Sequence, residues 1–268
     1  MTNDGSARRA TPTGSQRASK RPYFPRPFTT VDVVIFTVQE EALQVLLVQR
    51  PSDDEEPHPG AWALPGGFVN LDLDADLLAC ARRKLQEKTS VANPYLEQLN
   101  SWGSATRDPR GWSATHAYFA LIPCEGVTLI KGANAADVAW FEVDRLLKRP
   151  RLAFDHADIL RAAVERLRRK VEYTSLPAFL LPEPFTLPQL QHVYEIVLGR
   201  PVDKSGFRTR MIAADFLDEA GLVEAASRRP PMAYRLKDRR GPVYFPRTFS
   251  PRDGEVGSKP KDPRNHRI

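Results

Sequence analysis

The first half of the chain alternates short runs of β-branched and aliphatic residues with polar breaks. Residues 31–38 and 43–48 form two such runs, and the polar positions 39–42 separate them. Because apolar runs of this length joined by a short polar break are typical of paired strands, the pattern predicts a β-hairpin. The same criterion predicts further strands at 95–104, 113–123, 127–130 and 139–143, with a loop at 106–112.

Other segments place their apolar residues three or four positions apart, as a helix does. The first segment, near 77–85, follows a tight turn at Pro65, Gly66 and Gly67. The second segment covers 157–173. Strands mixed with one or two helices indicate an α+β sandwich for this half of the chain.

The C-terminal third predicts a separate unit after a proline-rich linker at 177–184. One helix is expected at 187–198, stopped by Gly199, and a second begins at the cap Asp203 and closes at Gly221. Residues 222–226 and 232–236 then predict a hairpin with a basic tip. Helix, turn, helix and hairpin form the layout of a winged helix-turn-helix.

Charge is distributed unevenly along the chain, whose net charge is +6. Residues 1–27 carry +5, residues 28–199 carry −6 and residues 200–268 carry +7. A basic C-terminal third on an acidic body predicts a polyanionic partner for that third alone. The basic, Ser/Thr-rich residues 1–22 are typical of a disordered tail, with a transit peptide as the alternative.

Cysteine and histidine usage and the lack of long apolar runs bear on the cellular compartment and on metal binding. The two cysteines show no metal-ligand spacing, which favours a reducing cytoplasm. No apolar run approaches the roughly 18 residues of a membrane helix. The five histidines have no spacing typical of metal ligands or a catalytic triad, so we interpret them as structural or surface residues.

The turn and helix at 64–91 resemble the Nudix box, G-x5-E-x7-R-E-U-x-E-E-x-G-U, where U is aliphatic. Arg83 matches the family's arginine, and Glu87 matches one of its paired glutamates. Lysines stand where the pattern has glutamates at 84 and 88. Gly67 and Arg83 are sixteen positions apart, where the pattern has fourteen, so two residues are inserted.

Positions 84, 87 and 88 share one helical face, where the family's carboxylates hold hard divalent cations. Protonated lysine offers no lone pair and repels a cation, so we expect no metal and no catalysis. The alternative is a Mg²⁺-dependent ADP-ribose pyrophosphatase acting through Glu87, Asp72 and Asp74. Lys84 and Lys88 are predicted to face a ligand's phosphates instead, unless they are merely solvated helix residues.

Four later segments extend the likeness: PYLEQL, RDPRGWS, FTLPQLQHVYEIVLG and DKSGFRTRM. With the degenerate box, they resemble the Nudix-related transcriptional regulators of NAD metabolism (NrtR) over about residues 23–240. The resemblance implies a dimeric repressor of NAD biosynthesis or salvage genes that ADP-ribose releases from double-stranded DNA. It implies no cofactor. Relatives with other effectors leave a regulator answering to another nucleotide or sugar as a further alternative.

The resemblance also sets the expected domains. We expect a disordered tail at 1–22, a Nudix-like α/β/α sandwich that senses the ligand at 23–150, and a connecting helix and linker at 151–184. A winged helix-turn-helix at 185–249 and a disordered tail at 250–268 complete the α+β chain.

Basic side chains, open backbone and aromatic rings are the groups that bind a dinucleotide diphosphate. The candidates for ADP-ribose are Arg50, Gly66, Gly67, Phe68, Arg83, Glu87, Arg107, Arg110 and Trp112. The less specific interpretations are an ion pair for Arg83 and Glu87, one turn apart, and core packing for Phe68 and Trp112.

Candidate DNA contacts cluster at the start of the second C-terminal helix and at the hairpin tip. They are Lys204, Ser205, Arg208 and Arg210 on the helix, and Arg228 and Arg229 on the tip. Each alone is more often a solvated surface charge, but together with the local charge of +7 they favour nucleic acid.

Overall fold

A computed structural model describes residues 26–246, except 54, 92–93, 126, 132–134 and 224–229. The strands are β1 (Phe28–Gln39), β2 (Ala42–Gln49), β3 (Trp62–Ala63), β4 (Gly66–Phe68), β5 (Tyr95–Asp108), β6 (Gly111–Leu121), β7 (Asp137–Glu142), β8 (Phe185–Thr186), β9 (Leu217–Leu222) and β10 (Met232–Leu236). The helices are α1 (Leu77–Gln86), α2 (Val143–Lys148), α3 (His156–Val171), α4 (Leu187–Leu198) and α5 (Lys204–Ala213), with a 3-10 helix at Leu176–Leu180.

The predicted first hairpin is confirmed, and it forms the centre of a seven-stranded sheet. β1 pairs antiparallel with β2, and Glu40 and Glu41 form the turn with positive φ angles. The main path of the sheet runs β3-β2-β1-β6-β5, with β4 paired to β1 and β7 to β2. β1 and β6 are parallel, which carries the start of β6 next to the start of β1.

Both faces of this sheet are buried, as the near-continuous apolar run of β1 requires. Val33 and Ile35 pack with Leu85 of α1 on one side. Val34 and Phe36 face the other way and belong to the core that includes α3 and the C-terminal unit. The predicted α/β/α sandwich is therefore confirmed.

Two local predictions in this domain are wrong. The expected loop at 106–112 is mostly sheet, because β5 continues to Asp108 and β6 begins at Gly111, whose φ is +148°. The expected strand at 127–130 is not formed. Its backbone bonds instead to the turn that follows α1, with Ile130 N–H donating to Lys88 O at 3.0 Å.

The segment expected to be a linker is packed rather than exposed. All five residues of the 3-10 helix are buried, and Leu176 and Phe179 belong to the same core as α3 and α4. This proline-rich segment thus packs against the C-terminal unit. Its prolines restrict the backbone, but its apolar side chains remain available for burial.

The C-terminal unit has the predicted winged helix-turn-helix layout. Thr186 and Gln189 form a capping box at the start of α4, and Gly199 ends the helix in the left-handed conformation. The three-stranded sheet has the order β8-β10-β9. The second helix is shorter than expected, because it ends at Ala213 and β9 already begins at Leu217.

Several expectations fall outside the described residues. These are the two tails, 1–22 and 250–268, and most of the hairpin tip. The domain boundaries themselves stay predictions.

We expect Tyr194→Phe to destabilise the junction between the two units. The Tyr194 hydroxyl donates to the carbonyl of Thr174 at 2.7 Å inside the core, and phenylalanine would leave that carbonyl unpaired. The expected loss is about 1–2 kcal/mol of unfolding free energy, measured by urea denaturation. Tyr244→Phe, at a ring that is 60% exposed, is the matched control. Equal midpoints for both variants would contradict the assignment.

Candidate functional site

A cleft of about 1150 Å³ lies between the glycine turn, α1, the end of β5 and the start of α3. Eight of the nine predicted ligand residues line it: Arg50, Gly66, Gly67, Phe68, Arg83, Glu87, Arg107 and Arg110. Trp112 does not line it. Its half-exposed ring lies on the β5–β6 ribbon, where a Cβ added to Gly103 would sit 3.1 Å from Cη2.

The ion pair between Arg83 and Glu87 is present, as the less specific interpretation proposed. Arg83 Nη1 donates to Glu87 Oε1 at 2.6 Å. The stronger partner is Asp74, which accepts from Nε at 2.7 Å and from Nη2 at 2.6 Å. These bonds hold the pKa of Asp74 far below its usual range, although the carboxylate is only 1% exposed. Asp74 lies in the loop between β4 and α1, so this loop supplies the arginine with a counter-ion.

The two lysines that replace box glutamates both line the cleft. Lys84 Nζ lies 3.4 Å from Glu87 Oε2, and it sits against Gly67, where an added Cβ would be 3.1 Å away. Lys88 donates to the carbonyl of Lys131 at 2.9 Å, and burial lowers the pKa of its amine. Each amine therefore has a neighbouring acceptor, and Lys84 also lies beside the glycine turn.

Two carboxylates near α1 are ion-paired with Arg83. Asp74 and Glu87 both bind Arg83, while Asp72 is exposed. Within the described residues, no three His, Cys, Asp or Glu side chains come together as metal ligands would. Hard divalent cations bind several such oxygens at once, and here lysine amines stand at two of the positions where the family has carboxylates.

Arg107, one of the predicted ligand residues, lines the cleft while its guanidinium forms two ion pairs with the protein. Its guanidinium is buried and donates to Asp32 Oδ2 and to Asp155 Oδ2, both at 2.9 Å. It therefore joins β5, β1 and the start of α3. Burial would raise the pKa of Asp32, but His156 and Arg107 together hold it below its ordinary value.

His156 closes the same network. Leu64 N–H donates to His156 Nδ1 at 2.9 Å, so the ring proton is on Nε2, which lies 3.5 Å from Asp32 Oδ2. Gly66 packs directly on this group, because a Cβ there would meet Asp32 Oδ1 at 2.0 Å. The glycine turn is thereby fixed to the sheet.

The outer rim of the cleft carries arginines stacked on aromatic rings. Arg110 is paired with Asp108 and lies 5.4 Å over the ring of Phe68. Arg50 donates to Glu56 and lies 5.1 Å over the ring of Phe154. These side chains present planar cationic surfaces at the mouth of the cleft.

On α5, Lys204, Ser205 and Arg208 are exposed, as a DNA-contacting surface requires. The Asp203 carboxylate caps the helix by accepting from Gly206 N–H at 2.6 Å. Arg210 points to the other flank, and its guanidinium lies 4.9 Å over Phe245. Arg228 and Arg229 lie outside the described residues.

Comparison with known proteins accounts for both halves of the chain. A NUDIX domain model matches residues 27–163, and a model described as the NrtR DNA-binding winged helix domain matches residues 177–236. The ADPR responsive transcriptional repressor NtrR of Acinetobacter baylyi is 45% identical over 224 residues, which cover 84% of this chain and 88% of that protein.

This chain belongs to the NrtR family. The crystal structure of Shewanella oneidensis NrtR has a TM-score of 0.73 at 44% identity, covering 81% of this chain and 98% of that one. The same relative complexed with a 27mer DNA has a TM-score of 0.72, also at 44% identity and 81% of this chain, with 97% of that one. In the described part of this NrtR-family chain, every helix is too short or too polar to cross a membrane.

The sequence analysis did not identify the buried residues that hold the strands and helix around the cleft together. Asp32 stands inside an apolar strand, and Asp155 and His156 precede a helix that was expected only from Ala157. A lone carboxylate in an otherwise apolar strand run was the available signal, because such a group must find a partner once it is buried.

We expect Asp74→Asn to destabilise the fold by about 1–3 kcal/mol near neutral pH, because it leaves Arg83 without its bidentate partner. The folded-state pKa of Asp74 is lowered, so its carboxylate stabilises the fold above its ordinary pKa of about 3.9. That contribution is lost as the pH falls through the lowered value. The gap between wild type and variant should therefore be constant at pH 5–7 and shrink below pH 4.

Urea denaturation at each pH measures this gap. Asp72→Asn, at an exposed carboxylate two positions away, should change stability by less than about 0.5 kcal/mol. A gap that stays unchanged down to pH 3 would show that the ion pair does not stabilise the fold.

Proposed function

We propose that the protein is an ADP-ribose-responsive transcriptional repressor of NAD biosynthesis or salvage genes. The observation that carries this proposal is a Nudix cleft with amines at two box carboxylate positions, joined to a winged helix with a basic exposed face. Membership of the NrtR family supports it, since the Acinetobacter relative is described as ADPR responsive. We place the protein in the cytoplasm, with the chromosome, as a homodimer on a two-fold symmetric operator.

In the proposed complex, the diphosphate of ADP-ribose lies against Lys84, Lys88 and the backbone of the glycine turn. Lysine amines bind phosphate oxygens through charge-assisted hydrogen bonds without a metal. Without ligand, Arg50 and Arg110 both lie near the carboxylate of Glu56. In the complex, the phosphates would replace Glu56 as the partner of these two arginines. Phe68 is half exposed at the rim and offers a face on which adenine can stack.

Two earlier ligand candidates take other places in this proposal. Glu87 keeps its ion pair with Arg83 and accepts from a ribose hydroxyl through its free lone pairs. Arg107 acts through its buried partners and not through the ligand, because Asp32 and Asp155 already occupy its guanidinium.

We further propose that the Nudix domain does not hydrolyse its ligand. Hydrolysis of a diphosphate by this fold needs carboxylates that hold metal ions on the α1 face. Here Lys84 and Lys88 place positive charge on that face, and Arg83 binds both Asp74 and Glu87. A bound diphosphate would therefore be held but not activated.

α3 is the proposed connection between ligand and DNA. Phe154, which has a positive φ of 53°, and His156 line the cleft at its start. About 18 Å further along the helix, Arg168 Nε donates to the carbonyl of Val197 in α4 at 3.1 Å. A ligand that favours one position of this helix would thereby favour one arrangement of the winged helices.

A DNA-shift titration on regions upstream of NAD biosynthesis genes, with and without ADP-ribose and Mg²⁺, tests the function. The same mixtures are assayed for AMP. We expect specific binding that ADP-ribose relieves, with no AMP formed. Steady AMP release without specific DNA binding would replace this proposal with the pyrophosphatase. Specific binding that ADP-ribose leaves unchanged would point to another nucleotide or sugar as effector.

Removing the two amines should weaken the ligand selectively. We expect Lys84→Ala and Lys88→Ala each to reduce affinity for ADP-ribose about tenfold or more, because each removes a charge-assisted hydrogen bond of about 1.5–3 kcal/mol. Lys148→Ala, at an exposed lysine on α2, is the control. Calorimetric titration measures the affinities, and wild-type affinity in both cleft variants would show that the amines are only solvated.

The coupling through α3 has its own matched pair of variants. Arg168→Ala should reduce the ratio of DNA affinities measured without and with ADP-ribose by about threefold or more. Arg169→Ala should leave the ratio unchanged, because Arg169 pairs only with Glu165 of its own helix in the described chain. Affinity for ADP-ribose in the absence of DNA should stay constant in both variants. Equal ratios for the two variants would exclude this contact as the route.

A further inference from the structure

The outward face of α5 is centred on residues other than its lysine and arginines. Phe207 and Met211 are buried and fix the inner side of the helix. At 100° per residue, the side opposite them carries Ser205 and Thr209, with Ile212 next to both. All three are exposed.

The arginine and lysine side chains flank this strip. Lys204 and Arg208 lie along one edge of it, and Arg210 lies along the other, where its guanidinium stacks 4.9 Å over Phe245. The centre of the surface that would face DNA is therefore formed by two hydroxyls and one aliphatic side chain.

Ile212 is the large apolar side chain that α5 places on this outward strip. Its side chain is 47% exposed on a unit whose charge is strongly positive. Removing an exposed apolar side chain from water is favourable when another apolar surface covers it. In the major groove, the apolar group on a base edge is the thymine methyl, and aliphatic side chains contact it.

We propose that Ile212 is a specificity-determining residue that reads a thymine methyl in the major groove. Thr209 lies beside it, where its hydroxyl can bond the same or the neighbouring base. The inference rests on the proposed DNA binding and adds to it the base that this helix selects.

The charges around the strip favour DNA over a second copy of the chain as its occupant. Two copies meeting on this face would bring Lys204 and Arg208 of each close to those of the other, which is unfavourable. Phosphates on both sides of the major groove would instead meet both flanking rows of cations. The hydroxyls at the centre also need polar partners, which base edges supply.

The test begins with an operator selected from random DNA by the wild-type protein. Each thymine is then replaced in turn by deoxyuridine, which removes the methyl group and leaves the hydrogen-bonding edge intact. We expect wild-type affinity to fall about fourfold at one position in each half-site, since one methyl group leaves an apolar contact.

Variants decide whether Ile212 causes this loss. Ile212→Ala should bind the thymine operator more weakly and show no further loss at the deoxyuridine position. Ile212→Val should keep part of the loss. Lys204→Ala should bind every probe more weakly and keep the full deoxyuridine loss, because a phosphate contact does not read the base. Thermal unfolding of each variant shows that the fold is retained.

Outcomes separate this inference from the function on which it rests. A wild-type protein that selects no DNA would overturn the proposed regulator itself. Specific binding with the same deoxyuridine loss in wild type and Ile212→Ala would leave the regulator standing and overturn the role of Ile212. Specific binding with no loss at any thymine would do the same.

Discussion

The carboxylate of Asp32 is buried within the central sheet, and the cleft is built on how its charge is compensated. A buried anion without partners would cost several kcal/mol, so Arg107 and His156 must stay in contact with it. Each partner comes from a different part of the chain. Arg107 fixes the end of β5, and His156 fixes the start of α3 as well as the backbone of Leu64. The glycine turn follows from the same constraint, because Gly66 packs where a side chain would collide with Asp32.

The α1 region keeps the helix of the Nudix box but carries lysines where the family's pattern has glutamates. A hydrolase of this fold gathers carboxylates there and lets metal ions neutralise them. In this chain the lysines at 84 and 88 supply the positive charge directly, and Asp74 provides Arg83 with a second carboxylate. Because a diphosphate interacts with positive charge from either source, we propose that these amines hold the ligand without a metal ion. In that proposal, binding energy moves α3 instead of assisting the breaking of a bond.

Hydrophobic spacing and the turn and cap residues predicted most helices and strands, because interactions between neighbouring residues determine them. The hairpin around Glu40 and the helix end at Gly199 are both encoded by neighbouring residues. The 3-10 helix at Leu176–Leu180 was mistaken for a linker, since prolines hid an apolar segment that tertiary packing buries. The segment at 127–130 has strand-like composition but bonds to the turn that follows α1.

The candidate site divides in the same way. Motif spacing located the cleft and most of its lining, because the Nudix turn and helix bring those residues together. What could not be foreseen were partners distant in sequence. Arg107 lies 75 positions from Asp32, and no local pattern shows that its guanidinium is already occupied. Trp112 is a candidate for stacking on adenine by its aromatic character alone, but it lies on β6 outside the lining of the cleft.

We propose that the amines of Lys84 and Lys88 take the place of a metal ion in holding ADP-ribose. The decisive experiment is calorimetric titration of ADP-ribose into the wild-type protein, once in EDTA and once in millimolar Mg²⁺. We expect affinities equal within about twofold and no continuing heat of hydrolysis after saturation. Binding that requires Mg²⁺, or a steady heat signal in its presence, would contradict it and restore a metal to the α1 helix.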